Sequence, residues 1–361
     1  MKIGIYARGL NDIGGVKQYI ESLTKEIIKN LDDKDELFIF HNLDRPFFNS
    51  KKINIHEILL KRKSKLLCDF VEAPDKINKL NLDIIFFPKG TIPYRVKGKK
   101  ILTVHDLAYY LPEYNAYKFL DNFYMKFMIK SSCRRADKII AISKNTKKDI
   151  IQILKINKEK IKVVYEASDE KFKRLNKKDL AELKKKYDLT RFIFYSGSIS
   201  PRKNIKRLIK AFEIIKNKLN LDLIITGNKL WKNKKEMALI KQNPKIKVLG
   251  NVSDQDLVAL YNLAEVYVYP SLYEGFGLPI LEAQACGCPV ITSNKSSLPE
   301  VGGHSVVYIN PLKTEEMSKA IEKVVSNKKL RENLIKKGYK NIKRFSWDKT
   351  AKEVLDLIKN V

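Results

Sequence analysis

Short apolar runs recur along the chain, and amphipathic stretches of helical period separate them. In the first half the runs are Ile3–Tyr6, Leu37–Phe40, Ile84–Phe87, Ile101–Val104, Ile139–Ile142 and Val163–Val164. The second half offers Phe192–Tyr195, Leu221–Ile225, Lys247–Leu249, Val266–Tyr269, Val290–Thr292 and Val306–Ile309. Between them, Val16–Leu31 and Lys203–Leu219 carry apolar positions at helical spacing. Brief apolar runs alternating with helices imply βαβ units and parallel sheets. Two such series predict an α/β protein of two doubly wound domains. The polar, Lys-rich stretch from residue 165 to 190 puts the boundary there, giving expected domains 1–168 and 169–344. The tail "FSWDKTAKEVLDLIKNV" reads as a last amphipathic helix with Trp347, Ala351, Val354, Leu355 and Ile358 on one side. Residues 345–361 are expected to pack back on the first domain.

Composition changes this picture little. At 361 residues the chain is too long for one ordinary core, and 44% hydrophobic with 31% charged residues is globular composition. No apolar run approaches the roughly 18 residues that span a bilayer. The opening "MKIGIYARGLNDIGG" reads as a strand and a glycine loop rather than a signal peptide, so a cytoplasmic protein is expected. Cys68, Cys133, Cys286 and Cys288 form neither a disulfide framework nor a zinc site. Cys286 and Cys288 lack a second ligand pair nearby and read as small residues at a helix end.

Charge changes it more. The formal charge is +30, carried by 71 basic residues of which 12 are Arg. Lysine excess beside abundant Ile and Asn is also what a biased genome produces. No zinc finger, RNP-like strand or basic zipper is present, so no specific nucleic-acid partner is expected. An anionic partner is expected instead: a phosphorylated substrate, a membrane surface, or both.

Ligands of open parallel sheets sit beyond the carboxyl ends of strands, so the loops after strands carry the candidate chemistry. Gly14-Gly15 opens a helix after the first strand, where backbone N–H groups favour phosphate; a tight turn alone would also need glycine. His105-Asp106 follows "KILTV". The other histidines, His41, His56 and His304, have no obvious partner in the sequence. In "YSGSISPRKNIKRLIKAF", Gly197 turns the chain, and Arg202 and Lys203 stand where a helix should begin. Cations there oppose the helix dipole, a local cost that a bound anion would remove. Finally, "YEGFGLPILEAQACGCPVITS" sets Glu274 in a loop and Glu282 about one turn into a helix. The N–H groups of Phe276, Gly277, Leu278 and Ile280 are expected to point at an anion. Paired carboxylates also suit glycoside hydrolysis, and a glutamate in a first turn is ordinary helix electrostatics; the spacing alone decides little.

The motifs "HDLAYYLPEY", "GSISPRKN", "YEGFGLPILEAQACGCPV" and "SSLPEV", in this order, resemble the retaining glycosyltransferases of family 4, in their mannosyltransferase-like branch. The resemblance implies the GT-B fold, two Rossmann-like domains facing a central cleft. It implies that Glu282 accepts hydrogen bonds from the nucleotide ribose and that Glu274 contacts the transferred sugar. The Phe276–Leu278 backbone would reach sugar and phosphates, and Arg202 and Lys203 would neutralise the diphosphate. His105 would approach the sugar 6-hydroxyl, Gly15 the donor phosphate, and Asn228, Val252 and Tyr273 would border the donor. The sequence departs from the family at Ser198, where many members carry Arg, and at Glu166-Ala167, often Asn-Gly.

The function expected from this resemblance is transfer of a hexose, mannose-like, with retention. The donor would be a GDP- or UDP-sugar, and the acceptor a glycan or lipid-linked glycan in surface polysaccharide synthesis. No cofactor or metal is expected, although Asp33-Lys-Asp35 and Asp254-Gln-Asp256 spell Asp-x-Asp; the second reads as a helix cap. Rival classes are another GT-B enzyme, such as a sugar-nucleotide epimerase or phosphorylase, and a non-enzymatic polyanion-binding protein. Residues 59–71 and 119–135 interleave basic and large apolar residues. Either they meet the cytoplasmic face of an anionic membrane, making the enzyme peripheral, or their apolar residues face the core.

Overall fold

A computed structural model describes residues 1–361 except 12–13, 49–53, 63, 113–118 and 228–233. Two compact units divide the chain: residues 1–110, 118–166 and 346–361 form the first, and residues 111–117 and 167–345 the second.

The first unit is built on a seven-stranded parallel sheet. Its strands are β1 (Lys2–Tyr6), β2 (Glu36–His41), β3 (Ile55–Leu59), β4 (Ile84–Phe87), β5 (Lys99–Val104), β6 (Lys138–Ala141) and β7 (Ile161–Val163), ordered β3-β2-β1-β4-β5-β6-β7. Strand β3 is absent from the hydrophobic pattern. It pairs at the sheet edge, half-buried, so "IHEIL" never needed a continuous apolar run. The terminal helix Trp347–Lys359 belongs to this unit and packs against helix Gly15–Asn30. Its buried side chains include Trp347, Ala351, Val354, Leu355 and Ile358.

The second unit holds a six-stranded parallel sheet: β8 (Phe192–Ser196), β9 (Asp222–Thr226), β10 (Ile246–Gly250), β11 (Val266–Tyr269), β12 (Val290–Ser293) and β13 (Val307–Ile309). The order β10-β9-β8-β11-β12-β13 reverses between β8 and β11. Chain connections leave the sheet in opposite directions at such a point, and the crevice between the two departing loops is where ligands of this architecture bind. The loops after β8 and β11 are those that carry Arg202, Lys203 and Glu274.

Candidate functional site

The loop after β8 runs through Gly197 to a 3-10 turn, Pro201–Lys203. Asn204 then takes a left-handed conformation, with φ 61°, before helix Ile205–Leu219 begins. Arg202 and Lys203 therefore precede the helix rather than opening it, which corrects the sequence expectation. The Asn204 amide donates to the carbonyls of Pro270 and Pro311, so the turn is tied to the loop that follows β11.

That second loop is stapled in place. Glu274 N–H donates to Ser296 Oγ at 2.9 Å, while Ser297 Oγ donates to the carbonyls of Glu274 and Phe276 at 2.9 and 2.6 Å. Gly277 takes φ 120°, and a Cβ there would lie 2.8 Å from Leu298 Cδ2, so only glycine fits. Helix Leu278–Ala285 follows with Pro279 in its first turn and without a side-chain cap on its N-terminal N–H groups. The Ile280 N–H bonds the Gly277 carbonyl, so it is spent within the turn and drops out of the expected anion-facing set.

The two loops meet in one charged cluster. Arg202 Nη1 donates to Glu274 Oε2 at 2.9 Å and to the Tyr273 carbonyl at 2.6 Å. Lys203 Nζ donates to Glu274 Oε1 at 2.6 Å and to Tyr269 Oη at 2.9 Å. Burial would push the Glu274 carboxyl up, but the two cations outweigh it and hold the pKa at about 2. Two positive charges on one carboxylate leave the cluster net positive, at the crevice end of the sheet. Such a cluster offers charge-assisted hydrogen bonds to an anion.

Glu282 sits in a different environment. It is buried, and its Oε2 accepts from Tyr261 Oη at 3.1 Å. Tyr261 Oη lies 2.7 Å from Ser196 Oγ, and Tyr267 Oη lies 3.1 Å from the same hydroxyl. These are neutral groups. Burial pushes the Glu282 carboxyl up to about 7, with Tyr261 and the more distant Lys171 charge opposing. Lys171 itself pairs with Asp254 at 2.8 Å. Gly197, φ 136°, and Val252 lie after β8 and β10, at the same end of this sheet. Asn228 lies outside the described residues.

His105 and Gly15 belong to the first unit, after β5 and β1. Gly14 has φ 104° and precedes the helix that Gly15 opens. His105 is held on both sides: its Nδ1 is 3.3 Å from Glu166 Oε1, and its Nε2 is 2.7 Å from the Pro88 carbonyl. A carbonyl oxygen only accepts, so Nε2 carries a proton. A second proton is shared between Nδ1 and the buried carboxylate. Burial disfavours the charged ring, but the Glu166 hydrogen bond and charge raise its pKa above the ordinary value. Tyr19 stands edge-on to the imidazole, centroids 4.8 Å apart. Both ring nitrogens are thus engaged, and His105 offers no lone pair to a substrate in this arrangement. Sequence reasoning missed Glu166 as a functional residue because it lies 61 positions away, across β6 and β7. Its only signal was the departure from Asn-Gly. Contrary to the sequence reading, His41 and His56 have partners, Glu57 at 3.0 Å and Glu36 at 3.8 Å.

In the Asp-x-Asp pairs, Asp35, Asp254 and Asp256 each bind a protein cation. Asp35 holds the terminal ammonium at 2.7 Å, and Asp256 accepts from Lys186 and Tyr187. Ser253, not Asp254, caps helix Asp254–Leu263. Among the described residues no three His, Cys, Asp or Glu side chains converge as a metal site requires.

Two Rossmann-like units, with a cationic cluster and a glycine-led helix start at the second sheet's reversal, make up a doubly wound α/β architecture whose ligands bind beyond the strand ends. Residues 13–172 match the model described as Glycosyltransferase Family 4, and residues 176–341 that of Glycosyl transferases group 1. O-antigen chain mannosyltransferase B of Escherichia coli is 30% identical over 280 residues, which make up 75% of this chain and 73% of that protein. The serotype-specific mannosyltransferase WbdA of Escherichia coli is 31% identical over 280 residues; these cover 74% of this chain and 34% of WbdA. The chain thus spans about a third of that relative's length. A crystal structure of Anabaena HepE in complex with UDP and glucose superposes over 100% of both chains with a TM-score of 0.78 and 18% identity, a likeness of fold. The chain belongs to the family 4, group 1 glycosyltransferases of GT-B fold, and its activity class is glycosyl transfer.

Proposed function

We propose that this glycosyltransferase moves a mannose-like hexose from a GDP- or UDP-sugar to a glycan or lipid-linked glycan, retaining the anomeric configuration. The reaction would serve surface polysaccharide or glycoconjugate synthesis on the cytoplasmic side of a membrane. The observation that carries this reading is the Arg202–Lys203–Glu274 cluster at the reversal of the second sheet. It supplies two cations fixed by a common carboxylate beside a helix start, a preorganised partner for a departing diphosphate. The mannosyltransferase names of the relatives support the sugar class.

In this reading Arg202 and Lys203 take the diphosphate, and Glu274 orients them while meeting the sugar. The Phe276–Leu278 backbone faces the phosphates and sugar. Glu282 accepts from the ribose hydroxyls, Gly197 and Val252 border the nucleotide, and Gly15 admits the donor phosphate. His105, held by Glu166 and the Pro88 carbonyl, is not a base, and it would meet the sugar 6-hydroxyl only by releasing Pro88 from Nε2. No protein nucleophile enters: the acceptor attacks from the face the diphosphate leaves, and the leaving phosphate takes its proton. No metal takes part.

A thermal-shift panel of nucleotide sugars tests the donor, since a ligand at 100 times its dissociation constant adds about 2.7 kcal/mol of stability. Product analysis by NMR with the selected donor and an oligosaccharide acceptor tests the transfer. Free epimerised sugar nucleotide without acceptor, or inversion at the anomeric carbon, would overturn it.

A further inference from the structure

Within the first unit, the helical stretch that begins at Lys65 is turned against the usual rule. Leu66, Leu67, Phe70 and Val71 stand 40–55% exposed, while Asp69 between them is buried. The inversion is held in place. Asp69 Oδ1 accepts from Tyr6 Oη at 2.9 Å and from Arg8 Nη1 at 2.8 Å, and its carbonyl accepts from Tyr94 N–H. Rotating the helix to hide its leucines would strip a buried carboxylate and a nearly buried guanidinium of each other, which is costly. The apolar face is therefore fixed outward.

A second helix of the same unit, Phe119–Arg135, repeats the pattern. Phe123 and Phe127 are 71% and 54% exposed, one turn apart. Lys130 and Arg134 are exposed further along the same stripe. The two segments are joined: Phe70 stacks on Tyr94 with centroids 5.3 Å apart, and the Arg135 guanidinium lies 4.9 Å from the same ring. Of the eleven exposed large apolar side chains among the described residues, six lie on these two segments. Scattered apolar exposure is ordinary, but concentration on two adjoining helices marks an interaction surface.

We infer that this surface docks on an anionic lipid bilayer. The choice of occupant rests on charge. Lys61, Arg62, Lys130 and Arg134 border the apolar residues and are exposed. Among the described residues of these segments, Asp69 is buried on Arg8 and Glu72 is taken by the N–H groups of Lys61 and Arg62 and by Lys76 at 2.9 Å, which leaves Asp121 against the four cations. Phenyl and leucyl side chains entering the interface while cations meet headgroup phosphates satisfy both halves of the pattern. No helix among the described residues is long and apolar enough to cross a membrane, so the contact is interfacial. This deepens the membrane part of the function proposed above, and it stands whether or not the transfer chemistry does.

The test is co-sedimentation of the full chain with phosphatidylcholine vesicles, with and without phosphatidylglycerol, at low and high salt. The wild type should pellet with the anionic vesicles, less so at high salt. Phe123→Ser/Phe127→Ser, Leu66→Ser/Leu67→Ser and Lys130→Glu/Arg134→Glu should each lower the partition coefficient by about tenfold or more. All six side chains are exposed, so unchanged circular dichroism and melting should accompany each loss. Failure of the wild type to bind, equal binding to neutral vesicles, or full binding by the phenylalanine variant would overturn the inference. So would a wild-type dimer that Phe123→Ser/Phe127→Ser converts to monomer, since the face would then be covered by a second copy. Donor affinity, measured without vesicles, reports on the glycosyl-transfer reading separately.

Discussion

Glu282→Gln should make the protein more stable at pH 8 and worse at holding its nucleotide. The carboxyl has an ordinary value of 4.5 and is pushed up to about 7 in the folded protein. Between those values the folded state binds the proton that the unfolded state has lost. Stability is therefore fully present below about 4.5 and falls as pH rises through about 7. At 1.36 kcal/mol per pH unit, the interval amounts to about 3 kcal/mol of destabilisation at alkaline pH. Glutamine keeps an acceptor for Tyr261 Oη and has no charge to bury, so it escapes this cost.

The assay is calorimetric unfolding of wild type and variant at pH 5 and pH 8. The gap in favour of Glu282→Gln should widen by about 2–3 kcal/mol between the two, or roughly 2–4 °C of melting temperature per kcal/mol for a unit of this size. Nucleoside diphosphate titrations on the same samples supply the second arm. If the ionised carboxylate takes the ribose hydroxyls, wild-type affinity should rise about tenfold per pH unit up to about 7 and then level off. The variant should be flat with pH and about tenfold or more weaker at pH 8, the loss of a charge-assisted hydrogen bond. A stability gap that is constant with pH would refute the burial argument. A variant that binds as tightly as wild type would remove Glu282 from the ribose.

Lys203→Ala should weaken a nucleoside diphosphate more than the matching nucleoside in calorimetry, because in the proposed reading its ammonium meets phosphate rather than base; equal losses would contradict that. Glu274→Gln should destabilise the second unit by about 3–5 kcal/mol in denaturant unfolding, since it leaves Arg202 and Lys203 buried against no carboxylate. Glu166→Gln should lower the pKa of His105 in an NMR titration, while a merely structural role would leave that titration unmoved. Transfer should persist in excess EDTA, and activity restored only by a divalent ion would reopen the Asp-x-Asp pairs.

The strands were legible wherever burial on both faces demanded a continuous apolar run, as in "IIFF" and "VYVY", both wholly buried. Strand β3 was not, because an edge strand half-open to solvent needs no such run. Arg202, Lys203 and Glu274 could be picked out from their loops, yet their mutual contact spans 71 positions and depends on the strand order. Periodicity carries no information about which strand lies beside which. The same limit hid Glu166 beside His105. The membrane-facing question was undecidable from "LLKRKSKLLCDFV" for a different reason. A helix exposing either its leucines or its aspartate fits that pattern, and only the Tyr6 and Arg8 partners of Asp69 set the rotation.

Two glutamates eight positions apart show what sequence spacing leaves out. Glu274 and Glu282 are both buried, so desolvation pushes both carboxyls toward the neutral form. Glu274 meets two cations and stays ionised down to about pH 2. Glu282 meets a phenol in an uncharged network and titrates at about 7. A pair separated in this way resembles the acid and base of a glycosidase. The geometry argues otherwise, because Arg202 and Lys203 hold the two oxygens of Glu274 and Ser296 and Ser297 staple its backbone, leaving it no freedom to swing in and attack a sugar. It is a rigid strut between cations. Glu282, with Tyr261 as its hydrogen-bond donor, is the carboxylate with capacity left for new donors, and a ribose would supply them. In the proposed reading this division is what chemistry without a protein nucleophile would use: one carboxylate to hold the cations that meet the diphosphate, the other to recognise the nucleotide.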